Sequence, residues 1–442
     1  MKKALSLFTA LIFVLLILTS CRAASLLDKN NPVMLTMWHV YGEQADSPMN
    51  RLIEEFNQTV GRDQGIIINV TVMTNTSQIG NQLLKAQSDV LGAPEMPDLF
   101  FCHNNNADDL GASNLINWND VFSKEELDGY VEEFIEDGIV DDRLVVFPVS
   151  KSTHLLFING TQFDRFCAET GVTYDHLSTW DGFFDVAAGF YTWSGGKPFC
   201  AFDYLLRAIE LILEAEGETS YMTEDGWYDF DNPAVKEVWM KFAKALCQGH
   251  IVVSDLYSNT QVMTGEVIAG CGSSAAILYY NDTVTYPDNT TEPMNLQILP
   301  MPQIDPSNGL VTPAGVGLCS YKTTEQKAEA AAVFARWFTQ SSRNLDFVTQ
   351  TGYMPVSNGA FYAIDDHSFE KESYKRLYTT LKEVRDTCTM VKEPIYSGYY
   401  DRVQKLYDAL RASQHKLLKR YISGENVEAL AEETWRLFMN VE

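Results

Sequence analysis

Any chemistry in this chain must come from aromatic and hydrogen-bonding side chains placed just after apolar, β-branched runs. Trp38-His39-Val40-Tyr41-Gly42 follows one such run and precedes a helical pattern. Asn104-Asn105-Asn106 follows the run Asp98 to Cys102, and Ser150-Lys151-Ser152-Thr153-His154 joins two more. Gly272-Ser273-Ser274, Gly315-Val316-Gly317 and Thr351-Gly352-Tyr353 come later. In open α/β sheets, ligands sit beyond the carboxyl ends of strands. A sugar needs apolar ring faces to stack on and a rim of donors and acceptors for its hydroxyls, which Trp and Tyr beside Asn, Ser and Gly supply. Candidate ligand contacts are therefore Trp38, His39, Tyr41, Asn75 and Asn105 early in the chain, then Ser152, Thr153, Asp203 and Ser273, then Gly315, Gly317 and Tyr353. A single aromatic is more often core than platform, so the set carries the reading rather than any one member. Gly at 315 and 317 would let backbone N–H groups approach a ligand closely.

Signatures of catalysis are missing. The sequence has no Walker A loop, no H-E-x-x-H and no G-x-S-x-G. Gly315-Val316-Gly317 lacks the third glycine of a dinucleotide loop, and the seven His are scattered without metal spacing, so neither cofactor nor metal is expected. Acidic pairs such as Glu54-Glu55 and Glu432-Glu433 are neighbours that diverge on a helix, which solvated faces explain. A glycosidase can keep its two carboxylates far apart in sequence, so a surface-anchored glycan hydrolase stays as the alternative function.

The amino terminus limits where the chemistry takes place. Lys2 and Lys3 precede an apolar run from Ala4 to Leu18, followed by Leu18-Thr19-Ser20-Cys21. A charged start, a short apolar stretch and small residues at its exit read as a secretory signal. The run is shorter than the ~20 apolar residues of a membrane span. The final tetrad resembles the bacterial lipobox, in which the Cys is lipidated and becomes the new amino terminus. The expectation is a chain that starts at Cys21, is exported, and is tethered by lipid to the outer face of the cell membrane.

Bulk properties agree with an exported globular protein. The 442 residues exceed what a single core usually supports, so two domains are expected. A net charge of −26 repels nucleic acid and keeps the chain soluble. Beyond Cys21, seven Cys are widely spread with no C-x-x-C, and read mostly as small buried hydrophobes.

Helical and strand patterns alternate, which argues for α/β layers with largely parallel sheets. Val33 to Trp38, Ile66 to Met73, Asp98 to Cys102, Leu144 to Val149 and His154 to Asn159 read as strands, as do Glu266 to Cys271 and Ala276 to Tyr279. Helices are announced by Ser47-Pro48, by Ser77 ahead of Ile79, Leu83, Leu84 and Val90, by Ser123 with Glu126, by Thr179, by Asn232-Pro233, and by Thr323 before an Ala-rich run. Leu299-Pro300-Met301-Pro302 and Asn308 to Gly317 are candidate boundaries.

In this order, the segments resemble those of extracellular solute-binding proteins of ABC importers, in the cluster with maltose-binding and glycerol-3-phosphate-binding proteins. The resemblance rests on the lipobox, Leu35 to His39 with Asn50 to Asn57, Pro97 to Phe100, Phe147 to Asn159, Thr179-Trp180, Gly265 to Ala269, Leu299 to Pro302, and Thr351 to Val356. It covers nearly the whole chain after Cys21. It implies a class II periplasmic-binding-protein-like fold: two α/β lobes with mixed sheets flanked by helices, and a ligand cleft between them that closes on the ligand. The implied division is a signal peptide at 1–20, a linker at 21–29, one lobe from 30–149 with 300–347, and a second from 150–299 with 348–442. Hinges are expected near Val149-Ser150 and Leu299-Pro300. Tyr396 to Arg402 resembles the segment where the glycerol-phosphate binder places an Arg, which adds Tyr400 and Arg402 to the candidates. The implied partners are a small solute, a carbohydrate first and glycerol-3-phosphate or a related phosphodiester second, and the transmembrane subunits of a permease. The implied protein is a monomer without catalytic residues.

Overall fold

The computed structural model describes residues 25–41, 47–73, 76–88, 90–254, 257–396 and 398–441. The signal segment, Cys21, Asn75 and the side chain of Ser77 lie outside them. Two sheets organise the described chain. The first is built from β1 (Val33–His39), β2 (Ile66–Val72) and β3 (Leu99–Cys102), all parallel and in register from Val33 against Ile66 and from Met37 against Leu99. Val33, Leu35 and Met37 point into the core while Met34 and Thr36 face out, the period of two that a half-buried strand requires.

The second sheet contains β4 (His154–Asn159), β5 (Cys200–Phe202), β6 (Ile251–Val253), β7 (Ala269–Ser273) and β8 (Leu296–Pro300), in the order β8-β4-β7-β5-β6. Here β5 runs parallel to both β6 and β7, while β4 is antiparallel to β7 and β8. The chain then returns to the first sheet, where β9 (Gly317–Ser320) pairs antiparallel with β3 at the edge. Both sheets are mixed, with less parallel pairing than the alternating pattern alone suggests.

Helices form where local signals allow and stay where an apolar stripe can be buried. Ser47 accepts a hydrogen bond from the Asn50 N–H and Pro48 occupies the first turn of Pro48–Phe56. That helix buries Met49, Leu52, Ile53 and Phe56, and Phe56 meets Phe334 and Trp337 of the helix Glu325–Phe338 edge-on. Fully burying one such side chain is worth roughly 1.5–3 kcal/mol. Further along, Pro233–Cys247 packs its stripe on Val427–Met439, where Trp239 stacks on Phe438 at 4.4 Å and donates to Thr434 Oγ1 at 3.1 Å.

Three sequence expectations differ from the structure. Ala276 to Tyr279 is a 3-10 helix, Ser274–Tyr279, because the Ser273 hydroxyl accepts from the Ala275 N–H and turns the chain as β7 ends. The helix Thr76–Gln87 stops before Val90, leaving Val90 and Leu84 exposed. From Leu144 to Val149, only Arg143–Leu144 forms a short ladder, with Ile139–Val140.

The rest of that segment crosses between the sheets. Phe147 bridges Leu318, Ser152 bridges Ala314, and Lys151 bridges Met354, so three lengths of chain run side by side there. Asn344, fully buried, holds two of them: its Nδ2 donates to the Val149 carbonyl at 2.7 Å and its Oδ1 accepts from the Val356 N–H at 2.9 Å. Downstream of residue 348 the chain touches the segment after β3, where the Val131 N–H donates to the Val356 carbonyl at 2.9 Å.

Candidate binding site

The carboxyl ends of β1, β3 and β5 and the crossing segments converge on one concave region. At one corner the Tyr41 ring meets Phe101, Phe347 and Tyr353 edge-on, with centroids 5.3, 5.4 and 6.0 Å away. Its hydroxyl lies 3.4 Å from Ser150 Oγ. Burial pushes the hydroxyls of Tyr41 and Tyr353 well above the usual phenol range. Gly315, at φ +108°, sits against this corner, and a Cβ there would lie 3.8 Å from the Tyr353 ring and 3.9 Å from the Ser152 nitrogen. Its glycine answers a backbone conformation rather than crowding.

Beyond it, Tyr204 stacks on His154 with centroids 4.2 Å apart and planes within 10°. Tyr204 keeps 40% of its surface, yet desolvation raises its hydroxyl, so the ring faces a confined space. Desolvation also lowers His154 to about 3, so its imidazole is neutral. Asp203 is raised to about 6 by burial, against the pull of its hydrogen bonds from the Ser258 N–H at 2.7 Å and hydroxyl at 2.9 Å.

Alongside lies a narrow recess walled by His103, Asn104, Asn105 and Asp137, by Pro313 to Gly315, and by Glu393 to Ile395 with Tyr400. Asp137, on its wall, forms a buried ion pair with Lys151, Oδ2 to Nζ at 2.5 Å. Asn104 Nδ2 donates to the Asp137 carbonyl at 2.7 Å. Burial, reinforced by the Lys151 charge, lowers His103 to about 4. Burial raises Glu393 to about 7 despite the attraction of Arg207. Arg207 is committed elsewhere, donating to Glu210 at 2.9 Å, Glu214 at 3.1 Å and Thr312 Oγ1 at 2.5 Å.

The structure brings together Tyr41, Asn105, Ser152, Gly315, Tyr353 and Tyr400 around this region. It sets other candidates apart. Trp38, 8% exposed, packs in an apolar cluster with Met73, Ile79 and Phe100. His39 is fully buried; its Nδ1 accepts from the Tyr41 N–H at 3.1 Å, which puts the ring proton on Nε2, 2.9 Å from Asn50 Oδ1. A Cβ on Gly317 would fall 2.6 Å from Val146 Cγ1 and 2.8 Å from the Phe147 carbonyl, so this glycine serves the contact of β9 with the crossing chain. Arg402 pairs with Asp225 at 3.5 Å and lies over the Trp227 ring. Ser273 caps a turn, and the buried Thr153 Oγ1 has no hydrogen-bond partner.

Sequence reasoning passes over Tyr204, Asp137 and Glu393, and from Asn104-Asn105-Asn106 it takes only Asn105. Tyr204 carried a signal, an aromatic two residues past the end of β5. Glu393 carried none, since a loop brings it to the recess from far along the chain. Among the described residues no group of side chains could hold a metal ion, and no helix is long and apolar enough to cross a membrane.

Two helix-flanked sheets joined by crossing segments define a known class of protein. The family profile of bacterial extracellular solute-binding proteins matches residues 51–371, and the chain belongs to that family, whose place of work is outside the cytoplasm. Among curated proteins, none matches the sequence significantly. The fold is shared with the cyclic α-maltosyl-1,6-maltose binding protein from Arthrobacter globiformis, at 15% identity and a TM-score of 0.67, over 93% of this chain and 99% of that one. The substrate-binding protein Lmo0181 from Listeria monocytogenes, solved with cycloalternan, matches at 13% identity and a TM-score of 0.66, over 92% and 98%. UgpB from Mycobacterium tuberculosis, solved with glycerophosphocholine, matches at 15% and 0.64, over 93% and 98%. These likenesses place the chain in the two-lobe periplasmic-binding-protein-like fold.

Proposed function

We propose that this protein is the receptor of an ABC importer, that it captures a carbohydrate in the inter-lobe cleft, and that it hands the solute to a membrane permease without chemical change. The carrying observation is a recess walled by Asn104, Asn105, Gly315 and Tyr400, with the Tyr353 ring against Gly315. Rings and amides in that combination suit sugar faces and hydroxyls. Oligosaccharide binding by the Arthrobacter and Listeria proteins supports the same class of solute. A hydrolase needs two carboxylates free to act on one bond; Asp137 is engaged by Lys151 and Asp203 by Ser258, which leaves Glu393. The lobes are taken as 30–149 with 300–347 and 150–299 with 348–442, with Cys21 as the lipid anchor and a monomer as the working state.

A thermal-shift screen over sugars, polyols and glycerol phosphates tests the reading, because a ligand that binds only the folded state raises its stability by mass action. A raised melting temperature, with the sugar recovered intact after long incubation, is the expected result. A cleaved product would install the hydrolase instead. For the anchor, Cys21→Ser should abolish lipid labelling and membrane retention in a lipoprotein-processing bacterium, and unchanged retention would refute it.

A further inference from the structure

We propose that the solute carries a protonated amine, so that the cleft selects an amino sugar over its neutral or phosphorylated counterparts. This rests on the carbohydrate-binding reading and adds the charge of the ligand to it.

The cations around the recess are already engaged. Lys151 is paired with Asp137, and Arg207 with Glu210 and Glu214. Lys392 caps the Glu136 and Ile139 carbonyls, and Arg402 pairs with Asp225. A phosphate entering here would displace one of these pairs or be buried beside Glu393 uncompensated, and either outcome opposes binding.

What the wall offers instead is acceptors. Glu393 lines the recess, and its carboxylate receives the hydroxyl of Tyr400. Asn104 Oδ1 is buried at the same wall with no partner. Its orientation is fixed, because the Asn104 amide nitrogen must donate to the Asp137 carbonyl. An ammonium group has three donors and no acceptor, which makes it the complement of such a wall. The Tyr400 ring, 40% exposed at the edge of the recess, adds a π face for a cation. The charge balance agrees. Arg207 is shared by Glu210 and Glu214, so Glu393 adds a carboxylate that the cation does not offset, and it holds its proton up to about 7, first because it is buried. A bound ammonium supplies the missing charge.

The test is calorimetry on the purified full chain with matched probes: the amine, N-acetyl, hydroxyl and 6-phosphate forms of glucose and galactose, as monosaccharides and as disaccharides. Within at least one skeleton, the amine should bind about tenfold tighter than the N-acetyl and hydroxyl forms, as a charge-assisted contact implies, and the phosphate should not bind. Glu393→Gln should abolish the preference for the amine over the hydroxyl and N-acetyl forms. The comparison of the four forms on the wild-type protein stands whether or not the variant folds. Tightest binding of a neutral or phosphorylated form, or a preference that survives in Glu393→Gln, overturns the proposal while the carbohydrate reading stands. Failure of all probes overturns both.

Discussion

His39, His103 and His154 are held neutral chiefly by burial, His39 and His103 at about 4 and His154 at about 3. The unfolded chain binds protons on these rings near 6.5, so folding favours the deprotonated form. Their contribution to stability is complete above pH 6.5 and is lost as pH falls toward 4. For His39 the loss reaches about 2 kcal/mol by pH 5. Asp203 and Glu393, raised to about 6 and about 7, run the other way, since their folded forms hold protons more tightly. The informative measurement is therefore differential. Urea denaturation of His39→Gln and wild type at pH 7 and pH 5 should show the variant losing about 2 kcal/mol less over that interval, and equal losses would remove His39 from the account. The Lys151–Asp137 ion pair permits a second test at this scale. Lys151→Met leaves Asp137 buried and unpaired and should cost about 3–5 kcal/mol, whereas the double change Lys151→Met with Asp137→Leu should recover most of it. Denaturation midpoints that simply add would show that the two side chains do not act as a pair.

At the scale of elements, legibility followed locality. Ser47-Pro48, Ser123 with Glu126, Thr179 and Asn232-Pro233 all cap helices at those positions, because a cap is set by residues within one turn of each other. The 3-10 turn at Ser274–Tyr279 was read as a strand because its short apolar run has no period to distinguish the two. The candidate site was harder to read for the same reason. Tyr41 and Tyr353 lie more than three hundred residues apart and meet only through tertiary packing, and Glu393 reaches Asn104 by a loop. Trp38 illustrates the converse, since its place at a strand end was visible but the face its ring takes was not. Gly317 lets element packing be separated from ligand contact. A Cβ there collides with the Phe147 carbonyl and the Val146 side chain, so Gly317→Ala should destabilise the fold by about 1–3 kcal/mol by forcing β9 off the crossing chain. Affinity per folded molecule should stay within about twofold, a change of under 0.5 kcal/mol. Unchanged denaturation with weakened binding would instead make Gly317 a ligand contact.

For the whole molecule, the narrowness of the cleft bears on how a solute enters. The recess between His103 to Asn105 and Glu393 with Tyr400 is narrow, too small to hold a sugar ring as it stands. Sites for small ligands usually enclose about 300 to 1,000 Å³, far more than this recess offers, so a disaccharide can reach Asn104 and Glu393 only if the walls part. The walls come from both sides of the crossing: His103 to Asn105 follow β3 of the first sheet, while Glu393 and Tyr400 belong to the carboxyl-terminal segment. Phe147 bridges Leu318 and Ser152 bridges Ala314 where the chain crosses between the sheets, and closure on a solute would have to be absorbed there. A solute shifts such an equilibrium only by its difference in affinity for the two states, and a ligand gripped from both walls has that difference built in. Small-angle scattering of the purified protein should therefore show a smaller radius of gyration at saturating solute than without it. The change should be largest for the probe that calorimetry ranks tightest, because the same contacts that give affinity hold the lobes together. An unchanged radius at saturation would mean that the protein binds without moving, and the crossing segments would then be a rigid brace rather than a hinge.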